Sequence, residues 1–219
     1  SDIKRIPMFG LGCVAGAAGT ARLADYLRGH PDQVGVLLSV ELCSLTLQRG
    51  DFSVANLIAS GLFGDGAAAL VGLGENRARD FTGPTVVGAM SRFYPDTERV
   101  MGWDVTDTGF QIVLDASVPD VVNAHIRDDV DSFLSRYNLT LSDIHTIVAH
   151  PGGPKVLTAF EDALSLPEKA LARTWASLRD VGNMSSASVL FVLHDTLADT
   201  PPPPGAHGLM MAMGPGFCS

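Results

Sequence analysis

Three side chains in this 219-residue chain have the chemistry of a nucleophile, a base and a polarising donor. Cys13 stands in Gly10-Leu11-Gly12-Cys13, where a short apolar segment turns into a helix. Unpaired backbone N–H groups and the positive end of a helix dipole lower the pKa of a thiol placed there and make it a nucleophile. The position suits a small buried apolar residue equally well, since free cysteine is commonly buried. His150 ends an apolar strand and opens the rigid turn His150-Pro151-Gly152-Gly153-Pro154, which presents its ring. Asn183, in Gly182-Asn183-Met184-Ser185-Ser186, precedes a helix. It reads either as a hydrogen-bond donor to an oxyanion or as an N-terminal cap. Nucleophile, base and polariser thus follow one another along the chain. His30, His125, His145, His194 and His207 have no comparable setting.

Composition narrows the substrates. Lys and Arg number 15 against 24 Asp and Glu, a formal net charge of −9, which repels a phosphate backbone unless a basic face is segregated. No Lys/Arg run, RNP-like aromatic motif or zinc-finger spacing is present, so no nucleic-acid partner is expected. Three widely spaced cysteines, Cys13, Cys43 and Cys218, suit neither a disulfide framework nor a CxxC metal site. They read as reduced thiols in a cytoplasmic protein. No apolar run approaches the roughly 18 residues of a membrane helix, so no membrane insertion is expected. The opening SDIKRIPMFG lacks the roughly 7–15-residue apolar core of a signal peptide, and reads like the middle of a domain.

The elements that must position these residues follow from periodicity. Ile6 to Leu11 reads as a short buried strand and Ala17 to Gly29 as a helix with Ala21, Leu23, Ala24 and Leu27 at helical spacing, stopped by Pro31. The apolar run Val34 to Leu45 reads as a strand covered on both faces, and a short helix near Val54 to Ser60 follows. The glycine-rich LFGDG turn leads into a strand at Ala67 to Leu73, with further strands at Thr85 to Met90 and Phe110 to Leu114. The polar Phe93 to Thr108, with Pro95, reads as loop. Val118 to Tyr137 has the helical period, with Asp128, Asp129 and Asp131 on a solvated face. A strand at Ile144 to Ala149, helices to about Leu164 and over Ser185 to Ala198, a stiff Pro201 to Pro204 linker and a strand at Gly208 to Met213 complete the chain. Strands alternating with helices make an α/β layered fold.

The wording around each candidate is more specific than its order. GLGCVAGAAG, LFGDGAAALVG, VAHPGGPKVL, GNMSSASVLFVL and MAMGPGF resemble the type III polyketide synthases, the chalcone and stilbene synthase family, and particularly its bacterial members that form long-chain alkylpyrones. The motifs stand in the family's order over nearly the whole chain. The resemblance implies a thiolase-like layered αβαβα fold whose first half is incomplete here. Residues 1–80 are then the remainder of the N-terminal half and 81–219 the C-terminal half. It also implies a chain cut at both ends, with Ser1 a cut point, and a homodimer. The basic residues that grip coenzyme A in the family lie largely in the absent stretch.

Carried over by motif, Cys13 holds the acyl starter delivered by acyl-CoA, and His150 and Asn183 donate to the thioester oxygen of malonyl-CoA as it loses CO2. Repetition and ring closure would give an alkylpyrone or resorcinol, with neither metal nor organic cofactor. Phe63 matches the aromatic gate of the family and Phe110 a second one, although the spacing of MGWDVTDTGF departs from the plant pattern. Cys43 and Thr46, on the strand after the nucleophile helix, match cavity-lining positions. Plant members commonly carry a threonine where Cys43 stands, a departure that argues against a plant-like starter and product. Gly214, Pro215 and Gly216 match the loop shaping the cavity floor, Ser185 and Lys155 could touch substrate or its pantetheine arm, and Asp65 shapes the glycine turn. The nearest rival is a ketoacyl synthase III of fatty-acid synthesis, which uses the same three residue types for one condensation. A catalytically incomplete, dimerising fragment is the rival of another class.

Overall fold

The computed structural model describes residues 2–107 and 109–219. Ser1, read above as a cut point, and Thr108, the end of the segment read as loop, lie outside the described residues. A 3-10 turn at Gly12–Val14 leads into α1 (Ala15–Gly29), followed by β1 (Val34–Glu41), α2 (Val54–Leu62) and β2 (Gly66–Leu73). The remainder comprises β3 (Met101–Thr106), β4 (Gly109–Leu114), α3 (Val118–Ser135), β5 (Ile144–Ala149), α4 (Pro154–Leu164), α5 (Ala172–Val181), α6 (Ser186–Asp199) and β6 (His207–Met211).

Three strand pairs organise these elements. β1 and β2 are antiparallel from Val34 opposite Leu73 to Glu41 opposite Gly66, and β3 and β4 form an antiparallel hairpin. β5 and β6 are parallel, with Val148 opposite Met210 and Ala149 opposite Met211. A parallel pair needs a long crossover, and here α4, α5 and α6 supply it. On α3, Val118, Val122, Ile126, Val130 and Leu134 repeat at the helical interval. They bury their faces against Leu157, Phe160 and Leu164 of α4 and Leu209 and Met211 of β6. α6 has no exposed face at its start: Ser186 to Leu190 are all buried. Val189, Leu190 and Val192 pack against Val148 of β5 on one side and Leu37, Ala68 and Leu70 of the first sheet on the other. The layers therefore run sheet β1–β2, helices α1 and α6, sheet β5–β6, helices α3 and α4. This is the expected thiolase-like α/β arrangement, with no helical layer outside β1–β2 among the described residues.

That arrangement corrects several expectations. Val34 to Leu45 is not covered on both faces, since Val36, Leu38 and Val40 are 53%, 71% and 65% exposed. The strand ends at Glu41, and Cys43 and Thr46 lie in a 3-10 turn beyond it. Ile6 to Leu11 is no strand: it pairs with no strand among the described residues, and Ile6 and Phe9 are exposed. Residues 85–90 form none either, and the Arg28 guanidinium takes the carbonyls of Val86 and Val87 at 2.7 and 3.0 Å. Within the segment read as loop lies β3, whose polar sequence is organised by cross-strand pairing and by Trp103 meeting Phe110 edge-on at 6.0 Å. Helix α5 is not announced by the sequence; Thr174 and Ser177 supply its buried face and Trp175 donates to Glu161 at 2.9 Å. Asp129 is buried rather than solvated, held by Arg92 at 2.9 Å and Tyr94 at 2.6 Å.

Candidate active site

Two glycines bring the chain's distant parts together around Cys13. A Cβ at Gly16 would stand 2.2 Å from the Ser186 carbonyl oxygen, so only glycine lets the start of α1 meet the start of α6. Gly12 has φ +50°, the left-handed region that glycine tolerates best, and a Cβ there would stand 2.7 Å from Pro215 Cδ. The turn carrying the thiol is thus pressed between the residues before α6 and the loop after β6.

Asn183 is fixed by its backbone and its side chain. Its N–H donates to the Leu62 carbonyl at 2.9 Å and its carbonyl accepts from Gly64 at 2.9 Å, which sets half-buried Phe63 alongside it. Its Oδ1 accepts from the Ser185 N–H at 2.8 Å. The amide nitrogen is therefore directed the other way, donating to the Gly152 carbonyl at 3.3 Å. Asn183 is 1% exposed. The Ser185 side chain does not cap α6, and the residue's φ of +50° is a conformation a non-glycine residue holds only when its surroundings enforce it.

His150 enters from β5, its N–H donating to the Met211 carbonyl of β6 at 2.8 Å. The residue is buried, and neither ring nitrogen has a hydrogen-bond partner. Burial depresses the imidazole from its ordinary 6.5 to about 4. Burial likewise pushes the Cys13 thiol up to about 12, against the hydrogen bonds from Ser185 and Asn183 that lower it. The expected lowering of the thiol pKa by the helix terminus is therefore overridden: taking a thiolate out of water costs more than the dipole returns. Both groups rest neutral at physiological pH.

The other predicted residues divide. Cys43 is half-buried, its thiol raised to about 11 by burial and by the charges of Glu41 and Asp65. Thr46 donates to the Cys43 carbonyl at 2.8 Å. Asp65 accepts from the Ser44 N–H and hydroxyl at 2.7 Å each, which bears out its structural reading. Gly214 to Gly216 form the loop against Gly12. Phe110 lies on the β3–β4 hairpin, 42% exposed, and Lys155 is exposed on the first turn of α4. The sequence reading missed Glu41. Its carboxylate accepts from the Ser186 hydroxyl, which also meets Ser39 at 2.6 Å, and its charge raises both Cys13 and Cys43. The signal was available, as Glu41 is the lone charge in the apolar run Val34 to Leu45.

No group of three or more His, Cys, Asp or Glu that could hold a metal ion occurs among the described residues. None of the described helices is long and apolar enough to cross a membrane.

Known proteins share this fold. The family described as chalcone and stilbene synthases, C-terminal domain, matches residues 85–218. The 1,3,6,8-tetrahydroxynaphthalene synthase of Streptomyces peucetius subsp. caesius is 56% identical over 220 residues, covering 100% of this chain and 58% of its own length. The 3,5-dihydroxyphenylacetyl-CoA synthase of Streptomyces toyocaensis is 37% identical, covering 97% of this chain and 56% of its own length. Among solved structures, the 1,3,6,8-tetrahydroxynaphthalene synthase of Streptomyces coelicolor A3(2), a bacterial type III polyketide synthase, superposes with a TM-score of 0.91 at 32% identity. That match covers 98% of this chain and 60% of the other. The type III domain of a Dictyostelium type I/III hybrid synthase gives 0.84 at 27% identity, over 99% and 60% of the two chains. The chain thus spans a little under three fifths of the length of these curated relatives. A family match over the second half and a superposition over nearly the whole chain lead to one conclusion: the chain belongs to the chalcone and stilbene synthases, the type III polyketide synthases.

Proposed function

We propose that this chain carries the condensing centre of a type III polyketide synthase, with Cys13 as nucleophile and His150 and Asn183 as the donors that stabilise an enolate. The carrying observation is a buried His150 whose two ring nitrogens are both unpaired, on a turn that Asn183 grips through Gly152. Native interiors seldom leave such groups without partners, and a thioester oxygen is the partner that this chemistry provides. Residues 1–80 belong in this reading to the first thiolase-like half and 81–219 to the second.

The neutral Cys13 thiol gives its proton to neutral His150 as the sulfur attacks the acyl-CoA carbonyl. Coenzyme A leaves as a thiolate and takes up a proton, and the acyl group stays on Cys13. Malonyl-CoA then loses CO2; the electron pair of the broken C–C bond becomes an enolate whose oxygen His150 and Asn183 hold. Each such donor contributes about 3–4 kcal/mol. The enolate carbon attacks acyl-Cys13, a C–C bond forms and the sulfur departs. No metal or organic cofactor enters these steps, and the working form is a cytoplasmic homodimer.

Two product classes compete. A long acyl starter and closure to an alkylpyrone or resorcinol follow from the motif wording, whereas the 56% identical relative is named for tetrahydroxynaphthalene. The relative's identity favours the second. Supplying malonyl-CoA alone, and malonyl-CoA with a long acyl-CoA, separates them by mass spectrometry: a tetrahydroxynaphthalene from malonyl-CoA alone supports the second class, an alkylpyrone only with starter the first. A single two-carbon extension, held as a ketoacyl thioester on a carrier protein, would select the ketoacyl synthase III chemistry that family membership argues against. Acylation of Cys13 from acyl-CoA, read by peptide mass, tests the nucleophile directly. An intact chain that never acquires the acyl group would reject it and leave the non-catalytic reading.

A further inference from the structure

The loop Gly214 to Phe217 touches the nucleophile turn and is held by an anchor remote from it in the chain. That anchor begins as an exchange of backbone hydrogen bonds between Arg92 and Ser219, both at 2.9 Å. Tyr94 N–H donates to the Phe217 carbonyl at 3.1 Å, Phe217 N–H to the Thr97 hydroxyl at 2.9 Å, and Gly216 N–H to the Met101 carbonyl at 3.0 Å. Side chains then tie this segment to α3. The Tyr94 hydroxyl donates to Asp129 Oδ2 at 2.6 Å and meets the Ser219 hydroxyl at 3.0 Å, while Arg92 Nε donates to Asp129 Oδ1 at 2.9 Å. Asp129 is 8% exposed and Tyr94 5%, so water competes little for these bonds. The Tyr94 ring stacks on His125 at 4.9 Å and lies 5.9 Å from Phe217, which is fully buried. From the anchored Phe217 the loop reaches back. Gly214 and Cys218 exchange backbone hydrogen bonds at 2.9 and 3.0 Å, and Pro215 lies against Gly12, one residue from the thiol.

We propose that Arg92, Tyr94 and Asp129 form a positioning clasp that holds the Gly214–Phe217 loop against the Gly12–Val14 turn that carries Cys13. They act through the loop and touch no reacting atom. Their value to catalysis rests on the function proposed above; their effect on access to Cys13 does not.

The test measures that access on the intact chain. Peptide-resolved mass spectrometry follows alkylation of Cys13, Cys43 and Cys218 by iodoacetamide and by a bulky maleimide. Tyr94→Phe keeps the ring and loses only the hydroxyl, so it reports even if Asp129→Asn fails to fold. In Tyr94→Phe, Cys13 labelling by iodoacetamide relative to Cys43 rises roughly tenfold, the factor one charge-assisted hydrogen bond supplies. Labelling by the maleimide rises less, because a loosened cover still selects by size. Asp129→Asn gives a similar rise, and the double variant adds little to the larger single effect, because both break one clasp. An unchanged ratio of Cys13 to Cys43 in Tyr94→Phe would overturn the proposal. So would an equal rise at all three cysteines with both reagents, which reports general opening. Failure of Cys13 to take an acyl group while the ratio rises would strike the enzymatic reading and leave the clasp standing.

Discussion

Cys13 and His150 rest as neutral groups because both are buried, and this makes the chain's response to acid calculable. In the unfolded chain His150 takes a proton near its ordinary 6.5, whereas in the fold it does so only near 4. The unfolded state therefore binds more protons between those values, and stability falls as pH is lowered through that window, by about 3 kcal/mol at its foot. The carboxylates held down by hydrogen bonds, such as Asp65 and Asp143, lose their contribution at lower pH. Chemical unfolding at pH 7 and 4.5 should show the loss in the parent and a smaller one in His150→Asn; equal losses would remove His150 as the cause. For the proposed reaction, Cys13→Ala should abolish acyl transfer, measured by product mass. Asn183→Asp should slow CO2 release from malonyl-CoA by about 100-fold or more, since a carboxylate cannot donate to an enolate oxygen. An unaltered CO2 rate takes Asn183 out of the mechanism.

Helices α1 and α6 form the seam on which the site depends, and their closeness is set by what Gly16 lacks. Gly16→Ala places a methyl group 2.2 Å from a backbone oxygen and 2.5 Å from Val189 Cγ1. A backbone atom cannot rotate away, so the helices must separate. A loss of roughly 1–3 kcal/mol, the usual cost of overpacking, is expected in denaturant melts, although alanine is the better helix former by about 1 kcal/mol. A gain in stability would show that the seam is loose. α3 illustrates how an element's chemistry is reassigned by its neighbours. Its apolar stripe was legible as a period of buried positions, and the structure places those residues in the main core. Asp129 looked like part of a charged outer face, but Arg92 and Tyr94 arrive from a segment 35 to 37 residues away and close over it.

Among the described residues, no helix covers the outer face of the β1–β2 sheet. Val36, Leu38 and Val40 point outward from β1, and Ala67, Ala69 and Val71 of β2 stand beside them in register. A continuous apolar face of that kind attracts other apolar surfaces, including further copies of the chain. The chain should bind an environment-sensitive apolar dye and self-associate at micromolar concentration. Leu38→Lys should weaken both without altering helical circular dichroism. Dye binding that is indifferent to Leu38→Lys would place the reactive surface elsewhere, on Phe9 or Phe52, which are 88% and 82% exposed.

Local chemistry was written in the sequence: the thiol before a helix, the histidine in a Pro/Gly turn, the asparagine before a second helix, and the 3.6-residue stripes of α1 and α3. These depend on near neighbours in the chain, so a linear reading recovers them. Strand partners did not follow, since residues 6–11 and 85–90 look as strand-like as β1 but pair with no strand among the described residues, while polar β3 pairs with β4. Nor did the charge state of Cys13, the burial of Asp129 or the presence of Glu41 beside two thiols. Each of those is decided by atoms that are remote in the chain and close in space, because desolvation and hydrogen bonding act over a few ångströms whatever the number of residues between.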